Sequence, residues 1–97
     1  MLELPKSKVA AVQTAPVFLD PAATVDKACA LIAEAAGNGA RLVAFPEVFI
    51  GGYPYWNWLM TPIEGGHWFE RLYRAAIEIP GPYVDQLCQA AREHECV

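Results

Sequence analysis

VAAVQTAPVFLDPAATVDKACALIAEAAGNGARLVAF, residues 9–45, is the stretch that decides the fold. Val9-Ala10-Ala11-Val12 is a short, nearly continuous apolar run, the pattern of a strand in a parallel sheet covered on both faces. Gln13 and Thr14 stand at its carboxyl end. Asp20 then starts a helix, because its side chain accepts from free N–H groups and Pro21 occupies the first turn, where a missing N–H costs nothing. Val25, Ala28, Cys29, Ile32 and Ala36 recur at helical spacing and form the predicted buried stripe. Gly37, Asn38 and Gly39 tolerate positive φ and stop the helix. Leu42-Val43-Ala44-Phe45 runs as the second strand. Strand, helix and strand in so short a span make a right-handed parallel crossover, so the class is α/β.

Outward from that unit, residues 46–62 form a long loop rich in Gly, Pro and aromatic residues, the kind of connection that is functional when it is ordered. Thr61-Pro62-Ile63-Glu64 has the spacing of a capping box, but Gly65-Gly66 limit it to a short turn. A second helix is predicted from near His67, with Phe69, Leu72, Tyr73 and Ala76 as its apolar face. Pro80-Gly81-Pro82 ends it and launches a third, from Tyr83 to about His94, with Val84, Leu87, Cys88 and Ala91 as its stripe. Glu95-Cys96-Val97 lies where a further strand is expected to begin. The chain reads as one domain unit, residues 1–97, that stops in mid-architecture.

Composition narrows the function classes. With 55% hydrophobic and 19% charged residues the chain wants a core. The formal charge is -4 and the seven Lys and Arg residues form no basic stripe, which argues against a nucleic-acid partner. Gln13, Thr14 and Pro16 interrupt the only signal-peptide-like run, and Pro46, Glu47 and Pro54 break the longest apolar stretch, so a cytoplasmic protein without a membrane partner is expected. Cys29, Cys88 and Cys96 form an odd set with no C-x-x-C pair and only His67 and His94 beside them, which supports neither a disulfide framework nor a metal site.

Glu47 is the chemically informative residue. It follows the second strand at the carboxyl end, where open α/β sheets build ligand sites. From position alone, a loop glutamate that caps a turn or pairs with Arg41 fits as well. The surrounding Phe45-Pro46-Glu47-Val48-Phe49-Ile50-Gly51-Gly52-Tyr53-Pro54 strongly resembles the nitrilase superfamily of carbon-nitrogen hydrolases around its first catalytic glutamate. Tyr55-Trp56-Asn57-Trp58 continues the match and resembles the nitrilase branch more than the amidase branches. Val12-Gln13 followed by Pro16, and Ile79-Pro80-Gly81-Pro82, also look like family segments, so the resemblance covers essentially the whole chain.

That resemblance implies a four-layer α-β-β-α sandwich, of which this chain is the amino-terminal portion. It implies that Glu47 is the general base of a catalytic set whose lysine and nucleophilic cysteine lie beyond Val97, and that a nitrile is converted to a carboxylic acid and ammonia through a thioimidate. It implies a raised carboxyl pKa at Glu47 through burial beneath the aromatic loop, no metal or organic cofactor, and self-association of the complete protein into homo-oligomers. Tyr53 and Trp56 are the candidate substrate-binding residues, flat apolar walls next to Glu47, although the same aromatics can be core or interface. Cys29 and Cys88 read as helix-stripe residues, and Lys27, Arg71, Arg74 and Arg92 as solvated faces. An amidase or carbamoylase of the same superfamily, or a non-catalytic interaction module, are the alternatives.

Overall fold

The computed structural model describes residues 2–97. Strand β1 spans Val9–Ala11, helix α1 Pro21–Gly37 and strand β2 Leu42–Ala44, followed by a 3-10 turn at Tyr55–Trp58 and helices α2, Gly66–Ala75, and α3, Pro82–Glu93. β1 and β2 pair in parallel with Val9 opposite Leu42, Ala10 opposite Val43 and Ala11 opposite Ala44. The expected crossover is therefore present, with strands one residue shorter than the apolar runs suggest. Val97 extends the ladder on the other edge of β2: its N–H donates to Arg41 O at 2.9 Å and its carbonyl accepts from Val43 N at 2.8 Å, the slanted pattern of a parallel pair. β2 is thus the central strand.

The ends of α1 follow from its sequence. The Asp20 carboxylate accepts from Ala23 N at 3.0 Å, and Pro21 sits in the first turn. At the other end Gly39 takes φ +95, its N–H donates to Ala36 O at 2.9 Å and Ala40 N donates to Ala35 O at 3.0 Å. This paired closure satisfies two of the last carbonyls, and it needs a residue that tolerates the left-handed conformation. Ala40 is buried beneath it.

The core lies between α1, α3 and one face of the sheet. Val25, Ala28 and Ile32 of α1 and Ala90 of α3 are buried, while Ala10 and Val43 of the sheet are half-buried. Val25 and Ile32 each contribute about 1.5–3 kcal/mol relative to the exposed state. Gln86 Nε2 donates to Asp26 Oδ1 at 2.8 Å and holds α3 beside α1. The opposite sheet face carries Val9 and Leu42, which are 63% and 45% exposed. Overall the molecule measures 55 × 32 × 21 Å and exposes 7160 Å², against about 5500 Å² for a compact monomer of this length.

Two predicted helix faces are met in part: Leu72 of α2 and Val84, Leu87 and Ala91 of α3 are half-buried, as expected. In α2, Tyr73 is 84% exposed and Ala75 is the buried residue, while Phe69 meets Trp56 and Leu72 turns toward Gly51. In α3, Ala90 is the buried residue and Cys88 is exposed. No helix among the described residues is long and apolar enough to cross a membrane.

Candidate functional site

Glu47 opens a tight turn at the carboxyl end of the central strand. The turn is closed by Gly52 N donating to Val48 O at 2.8 Å. Phe49 is buried within it and lies against Phe45, ring centroids 5.2 Å apart. The Glu47 carboxylate is exposed, so the aromatic loop does not cover it as the resemblance implies. Nor does Arg41 pair with it: Arg41 reaches Glu95 O at 3.4 Å, and among the described residues the only ion pair is Arg74 with Glu70 on the surface of α2.

Val48 and Gly52 bound the turn with positive φ, +48 and +99. For Gly52 this is ordinary, and the residue is needed for a second reason: a Cβ there would stand 2.9 Å from Phe18 Cδ2. For the β-branched Val48 it is an outlier. Nothing in the sequence pattern marked it.

Beyond the turn, Trp56 is the anchor of the aromatic loop. Only 4% exposed, it stacks on Trp68 at 6.1 Å and meets Phe69 edge-on at 5.2 Å and Phe18 at 6.4 Å. Its indole Nε1 is buried without a hydrogen-bond partner among the described residues. One side of the indole faces a groove of about 300 Å³ lined by Pro16, Phe18, Tyr55, Met60 and Trp68. Tyr53 is half-buried, packs on Tyr55 at 5.2 Å and does not line that groove. A second, open groove of about 540 Å³ begins at Val48 and runs over Phe49, Gly51 and Gly52 to Leu72 and Ala76. The Thr61–Glu64 box forms as a turn only, Thr61 N donating to Glu64 Oε2 at 3.1 Å and Glu64 N to Thr61 Oγ1 at 3.3 Å.

The loop between β1 and α1 is the partner of this region that sequence reading missed. Thr24 Oγ1, wholly buried, accepts from Val17 N at 3.1 Å and lies 2.9 Å from Val17 O and 2.8 Å from Asp20 O. Lys27, expected on a solvated face, donates to Ala15 O. Together they set Phe18 against Gly52, Tyr55 and Trp56. A threonine one turn into a helix, next to its Asp cap, is the signal that was available.

Cys29 is poorly suited to act as a competing nucleophile. Burial, then Asp26 and Glu93, push the Cys29 thiol up, away from the thiolate that attack requires, and its Sγ lies 3.8 Å from Gln86 O. Among the described residues no group of His, Cys, Asp and Glu is arranged to hold a metal ion.

Comparison with known proteins agrees with the motif around Glu47. The profile of the carbon-nitrogen hydrolase family matches residues 8–97. The chain is 50% identical over 90 residues to a nitrilase of Bacillus sp. (strain OxB-1), covering 93% of this chain and 26% of that protein. It is 52% identical over 88 residues to an aliphatic nitrilase of Rhodococcus rhodochrous, covering 90% and 24%. An arylacetonitrilase of Aspergillus niger is 44% identical over 90 residues, covering 93% and 26%. The chain thus spans about a quarter of the length of these curated relatives. Helix, parallel ladder, glutamate turn and family match point the same way: the chain belongs to the carbon-nitrogen hydrolase family, on its nitrilase branch.

Proposed function

We propose that residues 1–97 are the amino-terminal part of a single catalytic domain and that the complete protein is a nitrilase, converting a nitrile to a carboxylic acid and ammonia. The observation that carries this reading is the Glu47 turn at the end of the central parallel strand, within a sequence 50% identical to a nitrilase over 90 residues. The exposed sheet face supports a four-layer α-β-β-α sandwich, since a second sheet would bury Val9 and Leu42. Exposed apolar side chains on α2 support homo-oligomers of the complete protein. Three unpaired cysteines suit a reducing cytoplasm.

In this mechanism Glu47 takes the proton of a cysteine thiol supplied by the rest of the protein. Sulfur forms a bond to the nitrile carbon, a carbon–nitrogen π pair moves onto nitrogen, and proton return to that nitrogen gives the thioimidate. Water activated by Glu47 then adds to the same carbon, and the carbon–nitrogen bond breaks with release of ammonia. A second water cleaves the remaining thioester to the acid and restores the thiol. A lysine of the complete set stabilises negative charge as it develops. Trp56, one side of which faces the groove at Phe18 and Trp68, holds the apolar part of the nitrile, with Tyr53 supporting Tyr55 at its rim, and neither metal nor organic cofactor takes part.

The test is ammonia release by the complete protein and its Glu47→Gln variant on matched panels of nitriles and amides. Nitrile turnover that falls at least about a hundredfold in the variant, with the fold intact, supports the assignment. Near-normal turnover by the folded variant removes Glu47 from the mechanism. Good amide turnover with none on nitriles replaces nitrilase by amidase or carbamoylase. No turnover on either panel leaves an interaction module.

A further inference from the structure

We infer that Val48 is a positioning residue for Glu47: its left-handed backbone, locked from both ends of the turn, fixes the direction in which the carboxylate leaves the sheet. The inference rests on the proposed role of Glu47 as general base. Three observations carry it. Val48 stands at φ +48, where an L-residue brings Cβ against the carbonyl oxygen and a β-branched one does so most severely. Val48 is 51% exposed, so burial of its side chain does not explain why the backbone stays there. The lock is in the backbone instead: Gly52 N donates to Val48 O at 2.8 Å, and Gly52, at φ +99, is pressed so close to Phe18 that a Cβ would stand 2.9 Å from Cδ2 and 3.0 Å from Cε2.

The geometric consequence falls on the residue before. Inverting φ at 48 rotates everything on its amino-terminal side about that bond relative to the turn, and the first side chain so rotated is Glu47. On the strand side Val43 and Ala44 hold ladder bonds on both edges of the sheet. On the turn side Phe49 is buried against Phe45. With both flanks held, the sign of φ at Val48 sets the direction in which the Glu47 Cα–Cβ bond, and with it the side chain, leaves the turn. Strain kept beside a chemically assigned group, where the surrounding structure over-determines it, is characteristic of functional sites.

The experiment compares Val48→Asn, Val48→Pro and Glu47→Gln in the complete protein, with kcat and KM for one nitrile, pH-rate profiles and thermal unfolding. Asn accepts the left-handed region, so Val48→Asn keeps kcat within about twofold and raises the apparent Tm by about 2 °C. Pro is confined to negative φ, so Val48→Pro lowers kcat at least about tenfold while KM changes less than about threefold, as expected for a displaced acid-base group with substrate binding retained. Its pH-rate limb for the general base also moves. If Val48→Pro does not accumulate folded, Gly52→Ala opens the same turn from the Phe18 side and is read the same way. Full kcat in folded Val48→Pro or Gly52→Ala, with Glu47→Gln inactive, overturns the positioning role and leaves Glu47 in place. A loss in Val48→Asn as large as in Val48→Pro also overturns it, since side-chain identity and not φ would then matter. An active Glu47→Gln overturns this inference together with the reading beneath it.

Discussion

Replacing Thr24 by Val tests whether the loop before α1 is held by one buried hydroxyl. The substitution keeps the shape and removes an oxygen that is wholly buried. Val17 O keeps a partner, since Asp20 N donates to it at 3.0 Å, and Asp20 O still accepts from Thr24 N at 3.0 Å. The group left alone is Val17 N–H, whose acceptor at 3.1 Å disappears. An orphaned buried donor costs about 1–3 kcal/mol, and partial water access at a residue 40% exposed puts this one in the lower half, about 1–2 kcal/mol. That corresponds to about five- to thirtyfold faster exchange of the Val17 amide in the native state. Amides deep in α1, such as Ile32, should be unchanged. Hydrogen exchange of the complete protein measures both. A Val17 amide that exchanges at the wild-type rate in a folded Thr24→Val protein would refute the idea that this hydroxyl secures the loop, and with it the anchoring of Phe18.

Other perturbations separate packing from chemistry. Trp56→Ala removes a side chain buried among three rings and should cost about 3–5 kcal/mol in thermal or denaturant unfolding. Trp56→Phe keeps a ring and deletes a buried N–H that has no partner among the described residues, so it should cost less than about 1.5 kcal/mol. Maleimide labelling near neutral pH should modify exposed Cys88 well before Cys29, because the raised Cys29 pKa lowers its thiolate fraction; the gap should narrow as pH rises, and equal rates near neutrality would contradict this. The 97-residue chain alone should release no ammonia from nitriles and should associate through its open sheet face, so a stable monomer by solution mass measurement, or activity abolished by changing Cys96, would count against that expectation.

What the sequence made legible was set by local chemistry. Asp20-Pro21 and Gly39 fix the ends of α1 because capping acts within one turn, and the apolar runs at Val9 and Leu42 fix the crossover because only a doubly covered strand tolerates them. Which residue of α2 and of α3 is buried most deeply was not legible. Both helices offer apolar residues at several angles, and the choice between Tyr73 and Ala75, or Cys88 and Ala90, depends on which neighbour each helix meets. Glu47 was singled out by its motif, whereas the positive φ of Val48 and the burial of Trp56 against Phe18 and α2 are features that no periodicity encodes. Tyr53 and Trp56, paired as pocket walls in the sequence, lie in different surroundings, one on Tyr55 and the other at the centre of the aromatic cluster.

All three tryptophans of the chain, Trp56, Trp58 and Trp68, fall within the loop after Glu47 and the start of α2. Trp56 is 4% exposed and Trp58 77%. Indole emission from this chain therefore combines a shielded, a half-buried and a quencher-accessible source, Trp56, Trp68 and Trp58, and contains nothing from the sheet or from the α1–α3 core. A fluorescence transition follows the melting of the aromatic loop, while far-ultraviolet circular dichroism follows the helices. If the loop opens before the core, the two optical curves separate, and their spacing on the denaturant axis measures how independently the glutamate turn can loosen from the scaffold that carries it.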